Sequence, residues 1–214
     1  IRKMIMATSK DIRIIFIKLA DKIHNMRTIV GILPEKRLRF AKEALDIYAP
    51  IAERLNIGKW KGELEDLTFP VVYPNEYKYI DEIYTKRLGK SQKQFGKIIK
   101  SLLKIFSMSE IKVISISGRI KHKYSYWKKL KKTGNDHSKI YDLIAFRIIT
   151  NNEHDCYNAL SIVHQHWKPL PGLIKDYIAQ PKPNGYQSLH TTVYGPGKHI
   201  IEIQIRTQKM HEEA

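Results

Sequence analysis

Toward its end the chain alternates: Ile201, Ile203 and Ile205 are interleaved with Glu202, Gln204 and Arg206. A period of two is that of a β-strand, whose successive side chains leave on opposite faces. The segment therefore predicts a strand with a dry stripe on one side and an acid, an amide and a guanidinium on the other. A carboxylate on such a strand is costly unless it has a partner or a task. Just upstream, Pro181, Pro183, Asn184 and Gly185 predict a rigid turn that presents Tyr186 and His190, flanked by Lys175 and Lys182. An aromatic plate beside fixed cations suits a nucleotide.

The first half reads as helices. From Asp11 to Val30 apolar residues are too crowded for a surface helix and predict a largely buried one ending at Gly31. Asp21, Asn25 and Thr28, spaced i, i+4, i+7, share a face of it. They are either ligand groups converging on one site or an ordinary solvated face. Pro34 opens a second helix toward Tyr48, Pro50 interrupts its continuation, and Asn56 and Gly58 are stop signals. Another helix is predicted over Lys59–Leu67, broken by Pro70 and Pro74. A long basic helix then runs from about Asn75 to Phe106, with Ile80, Ile83, Tyr84, Leu88, Phe95, Ile98, Ile99, Leu102 and Leu103 as its buried side. Its lysines form a solvated face or an RNA- or lipid-binding one.

At about Lys112 the pattern changes. A strand at Val113–Ser117, a helix from Lys121, a strand near Phe146–Thr150, a helix from His154 and strands at Thr191–Tyr194 and Ile200–Arg206 are interleaved. The whole predicts an α+β chain: an all-helical first part, then a domain of interleaved strands and helices, α/β or α+β.

Composition narrows the partners. Hydrophobic residues make up 43% of the 214, enough for a core, and lysine and arginine outnumber the acids 38 to 21. The net charge of +17 favours polyanions: nucleotides, RNA or an anionic membrane surface. One cysteine, Cys156, makes no internal disulfide, and without a signal peptide or long apolar run a reducing cytoplasm is the expected compartment. A start at Ile1 and an end inside a helical MHEEA predict a piece cut from a longer protein.

Two further groups carry candidate chemistry. On a helix beginning near Lys121, residues 121, 125, 128 and 132 share a face, with Trp127 and Leu130 opposite. Arg119, Lys121, Ser125 and Lys128 then fit a triphosphate cradle, an RNA-binding face or a solubility device. Asp142 opens the buried strand YDLIAFRIIT, where a carboxylate commonly caps a helix or joins an ion pair.

PKPNGYQSLHTTV, followed by EIQIRT and MHEEA and preceded by SGRIKHKYSYWKKL, IYDLIAFRI and LADKIHNMRT, resembles the RelA/SpoT homologues, the guanosine tetra- and pentaphosphate synthetases and hydrolases of the stringent response. The resemblance implies the end of an HD-type hydrolase domain over 1–73, a helical connector over 74–110, and a nucleotidyltransferase-like α/β synthetase domain with a mixed sheet over 111–214, truncated at its C-terminus. It implies transfer of pyrophosphate from ATP to the 3′-hydroxyl of GDP or GTP. Arg119 and Arg147 would bracket adenine, and Lys121, Ser125 and Lys128 would serve the donor phosphates. Tyr186 would stack on guanine, with Lys175, Lys182, Asn184, His190 and Gln204 around the acceptor. Asp142 would bind Mg²⁺, and Glu202 would be a second ligand or the base.

Asp21 matches one ligand of a hydrolase metal site, with Asn25 and Thr28 matching its pocket. The histidines that complete the site do not precede Asp21, so hydrolysis, and the Mn²⁺ of an intact hydrolase domain, are not expected. Leu173, where bifunctional members carry an arginine, leaves the choice between GDP and GTP open. Ribosome contact would lie outside this chain, and neither membrane nor DNA is an implied partner. Two other readings stay open: a catalytically silent nucleotide-binding or regulatory piece, and a basic RNA-binding module.

Overall fold

The computed structural model of the protein describes residues 11, 13–137, 140 and 143–214, with backbone alone at 90–93 and 198. The chain divides into two compact units, residues 1–80 and 81–214.

The described part of the first unit is helical: α1 (Arg13–Arg27), a 3₁₀ turn, α2 (Pro34–Glu43), a π-turn, α3 (Ala49–Arg54), α4 (Gly58–Val72) and the opening of α5 (Pro74–Ser107). Ile15, Leu19, Ile23 and Met26 of α1 pack with Ala41, Ala44, Ala49, Ala52 and Leu64. The helix is less buried than its apolar content suggests, since Phe16 is 40% and Ile17 68% exposed. At 100° per residue, positions 15, 16 and 17 cannot all face one core. On the buried side Lys22 is held by Glu43 at 3.1 Å and lies over the Phe40 and Tyr48 rings.

Two prolines expected to break helices are absorbed instead. Pro50 has no N–H, and its ring crowds the carbonyl four residues back. The chain widens into a π-turn over Ala44–Tyr48, with the Ala49 N–H reaching the Ala44 carbonyl, and stays helical to Arg54. Asn56 ends it in the left-handed region (φ 58°), and the Ile57 N–H closes the turn on the Ala52 carbonyl at 2.8 Å. Pro70 lies inside α4, whose buried Leu64, Thr68 and Phe69 hold the helix together to Val72, beyond the expected Leu67. The break comes at Tyr73 (φ −133°, ψ 64°), which the following Pro74 pushes out of helical geometry.

The second unit is built on a five-stranded mixed sheet. It contains β1 (Val113–Ile120), α6 (Lys123–Lys132), β2 (Ile144–Thr150), α7 (Glu153–His166), β3 (Lys175–Asp176), β4 (Leu189–Tyr194), β5 (Ile200–Thr207) and α8 (Gln208–Glu212). The strand order is β1-β2-β5-β4-β3; β2 and β5 are parallel and the other pairs antiparallel. One face is dry: Phe146, Ile148, Leu189, Val193, Ile201, Ile203 and Ile205 pack on Ile98 and Leu102 of α5 and on Cys156, Ala159 and Val163 of α7. Leu103, expected on the buried side of α5, is 52% exposed, while Ile105 is buried. Asn152 caps α7 by accepting the Asp155 N–H at 2.8 Å. Cys156 is buried beside the Thr150 hydroxyl, and burial raises its thiol pKa. Among the described residues no helix is long and apolar enough to cross a membrane.

Close approach of α5 to β1 requires a glycine. Phe95 stacks on Phe146 with ring centres 5.4 Å apart, and a Cβ on Gly118 would lie 1.9 Å from the Phe95 ring. Gly118→Ala is expected to destabilise the second unit by about 1–3 kcal/mol through overpacking. Phe95→Leu in that background should recover part of the loss, measured by urea unfolding.

His164 is bonded to Thr191 at 2.8 Å, and burial lowers its pKa below 6.5; burial likewise lowers His137 and His211. The unfolded imidazoles take up protons that the folded ones resist, so stability should fall as pH drops below 6.5. A urea midpoint that declines between about pH 7.5 and pH 5.5, and declines less in His164→Gln, is the expected result.

Candidate active site

The second face of the sheet is polar, and strand register orders it in rows. One row runs Arg119 (β1), Ala145 (β2), Glu202 (β5), Thr192 (β4); the next runs Ser117, Arg147, Gln204, His190, Lys175 (β3). In a third, Arg206 stands beside Ile149. The small side chain of Ala145 leaves room between Arg119 and Glu202. There Arg119, Lys121, His122, Ser125, Ala145, Glu202 and Gln204 line a cavity of about 130 Å³.

Lys121 reaches this cavity differently from expectation. Its N–H donates to the Leu143 carbonyl at 3.0 Å, prolonging the β1–β2 ladder, and the Tyr84 hydroxyl donates to its carbonyl. Helix α6 therefore begins at Lys123, with His122 as its N-cap residue. Lys121 meets Ser125 from the strand end rather than sharing a helical face with it. Lys128 lies farther along α6, outside the cavity lining, its ammonium 5.6 Å from the centre of the Tyr124 ring. Trp127 and Leu130 are buried.

The loop before β4 is shaped by its own residues. Gly185 (φ 79°) donates its N–H to the Lys182 carbonyl at 2.8 Å, and Asn184 Oδ1 accepts the Tyr186 N–H at 3.3 Å. This turn sets Tyr186 over the sheet. The Lys182 ammonium lies 4.9 Å from the Tyr186 ring centre and 4.7 Å from that of Tyr177. Tyr177, not singled out from sequence, also packs edge-on against His190, with ring centres 5.2 Å apart. Lys175 is exposed, opposite His190 across the β3–β4 pair. Asp176 is engaged locally, accepting the Ile178 and Ala179 N–H groups and the Tyr157 hydroxyl.

Glu202 is embedded in hydrogen-bond donors. Its Oε1 accepts from Gln204 Nε2 at 2.9 Å and faces His190 Nδ1 at 3.4 Å. A carboxylate only accepts, so the Gln204 nitrogen is turned toward it. Gln204 Oε1 is then a buried acceptor with no partner among the described residues, one that a ligand N–H or O–H would satisfy.

Beside it two guanidinium groups are desolvated. Arg206 is only 4% exposed, and burial, reinforced by Arg147, lowers its pKa to about 10; burial and Arg119 lower that of Arg147. The Nε of each is buried without a partner among the described residues. An Nη2 hydrogen of Arg206 is donated to His211 Nδ1. Burial and the Arg206 charge lower the His211 pKa, which keeps that nitrogen an acceptor. Clustered cations in low dielectric favour an anionic ligand. Arg206 was legible as the third member of the Glu202–Gln204 alternation; His122, Tyr177 and His211 carried no separate signal.

Asp142 lies outside the described residues. In the first unit Asn25 Nδ2 donates to Asp21 Oδ2 at 3.3 Å, while the Thr28 hydroxyl turns back to the His24 carbonyl at 3.0 Å. Among the described residues no group of three or more His, Cys, Asp or Glu is arranged to hold a metal ion.

Residues 118–214 match the family model for the region found in RelA/SpoT proteins, and residues 1–58 match that of an HD domain. The chain is 48% identical over 213 residues to a GTP pyrophosphokinase of Myxococcus xanthus, covering all of this chain and 28% of that protein. It is 47% identical over 214 residues to the bifunctional (p)ppGpp synthase/hydrolase SpoT of Escherichia coli (strain K12), covering all of this chain and 30% of that protein. The chain thus spans less than a third of the length of these curated relatives. The crystal structure of the small alarmone synthetase 1 from Bacillus subtilis aligns with 61% of this chain and 74% of its own, at 21% identity and a TM-score of 0.48. Two family models in sequence and identity sustained along the whole chain give one conclusion: the protein belongs to the RelA/SpoT family.

Proposed function

We propose that the second unit is a GTP pyrophosphokinase that transfers the β,γ-pyrophosphate of ATP to the 3′-hydroxyl of GDP or GTP, making (p)ppGpp. The observation that carries this reading is the polar sheet face. It sets Arg119, Arg147, Gln204, His190 and Glu202 at neighbouring register positions beside the Tyr186 ring.

On the donor side Arg119 and Arg147 present guanidinium planes suited to an adenine base. Lys121 and Ser125 line the cavity next to Glu202 and would hold the phosphates, with Lys128 farther along α6. On the acceptor side Tyr186 would stack on guanine, and Gln204 Oε1 would accept from the nucleoside. Lys175, Lys182, Asn184 and His190 lie around it. In the reaction the 3′-oxygen bonds to the β-phosphorus as the bridging bond to the α-phosphate breaks. AMP departs with the electron pair, and Glu202 takes the 3′ proton.

The hard oxygen donors of the cavity, a carboxylate and a hydroxyl, suit Mg²⁺ shared with substrate phosphates. Glu202 and Asp142 would hold the ion, which would supply positive charge to neutralise the donor phosphates. Mn²⁺ and hydrolysis are not part of the proposal. The proposed compartment is the cytoplasm, and ribosome contact is assigned to regions outside this chain.

The purified chain, incubated with ATP, Mg²⁺ and GDP or GTP, is expected to release AMP and a guanosine carrying two added 3′ phosphates. Glu202→Gln should lower kcat by about 10²–10⁴-fold while changing nucleotide binding little. Turnover that survives this change, or a parent chain that binds both nucleotides without forming product, would refute the assignment.

A further inference from the structure

A chain of hydrogen-bonding side chains crosses the polar face, and the chemistry of its ends fixes its direction. Arg206, buried and bonded to His211, has its guanidinium carbon 5.7 Å from the Tyr186 ring centre. The Tyr186 hydroxyl lies 3.0 Å from His190 Nε2. His190 Nδ1 faces Glu202 Oε1 at 3.4 Å, and Glu202 accepts from Gln204.

A guanidinium only donates and a carboxylate only accepts. Because Glu202 only accepts, the ring proton of neutral His190 sits on Nδ1, aimed at Glu202. Nε2 is then an acceptor, and the Tyr186 O–H donates to it.

We infer that Glu202 and Tyr186, one at each ring nitrogen, lock His190 in its Nδ1–H tautomer, making His190 a positioning residue for Glu202. The Nδ1–H tautomer is the less common one for a free imidazole, so it has to be imposed. The groups facing His190 are those of this chain, the Tyr177 ring edge, and Lys175 opposite it on β3. Tyr186 thus has a role for its hydroxyl separate from any stacking by its ring.

The inference rests on the proposed role of Glu202 only for its catalytic consequence. The tautomer itself is read without substrate, so the two can fail independently. ¹⁵N-detected histidine spectra of the nucleotide-free protein at about pH 8, with His190 assigned by His190→Gln, should show Nδ1 protonated and Nε2 unprotonated. Tyr186→Phe keeps the ring but removes the donor to Nε2, and Glu202→Leu removes the acceptor of the Nδ1 proton. Each should shift His190 toward the Nε2–H form.

In turnover, Tyr186→Phe should lower kcat by about ten-fold, the effect of one lost hydrogen bond, with KM for the guanosine nucleotide nearly unchanged. An Nε2–H form or an imidazolium in the parent protein would overturn the inference. So would an Nδ1–H form that persists in both variants.

Discussion

The parallel register of β2 and β5 is the constraint on which the candidate site depends. It sets Ala145 beside Glu202, Arg147 beside Gln204 and Ile149 beside Arg206. A slip of one residue would carry the charged set into the core and the isoleucines out of it. What prevents the slip is the opposite face, where Phe146, Ile148, Ile203 and Ile205 are packed under α5 and α7. Burying each such side chain is worth roughly 1.5–3 kcal/mol. The hydrophobic face thus holds the polar one in place.

That polar face is unfavourable in isolation. Burial lowers the Arg206 pKa to about 10, well below the ordinary guanidinium range, at a cost of roughly a few kcal/mol. The folded pKa is the lower one, so the cost is present in full below pH 10 and fades as pH rises toward that range. Arg147 is shifted in the same direction. An anion bound among these groups removes part of the penalty, which links ligand binding to stability.

Local pattern made much of this legible. The alternation of isoleucines with Glu202, Gln204 and Arg206 located β5 and its two faces, and the turn residues before Tyr186 located the loop that carries it. What escaped depends on contacts distant in sequence. The helices continue through Pro50 and Pro70 because burial and a widened turn outweigh a missing N–H, and nothing nearby in sequence reports that. Lys121 belongs to the strand because its backbone bonds to Leu143, a partner 22 positions away. Tyr177 and His211 join the site only once β3, β4 and α8 have been brought together.

Ala145 occupies the floor between Arg119 and Glu202, and a single methyl group sets how deep the cleft is. Because it lies on a central strand of the sheet, that floor cannot swing aside as a loop would. The cleft therefore works as a gauge of fixed depth: whatever reaches Glu202 must be slender enough to pass the Arg119 and Lys121 side chains, and the acidic group meets only what the gauge admits.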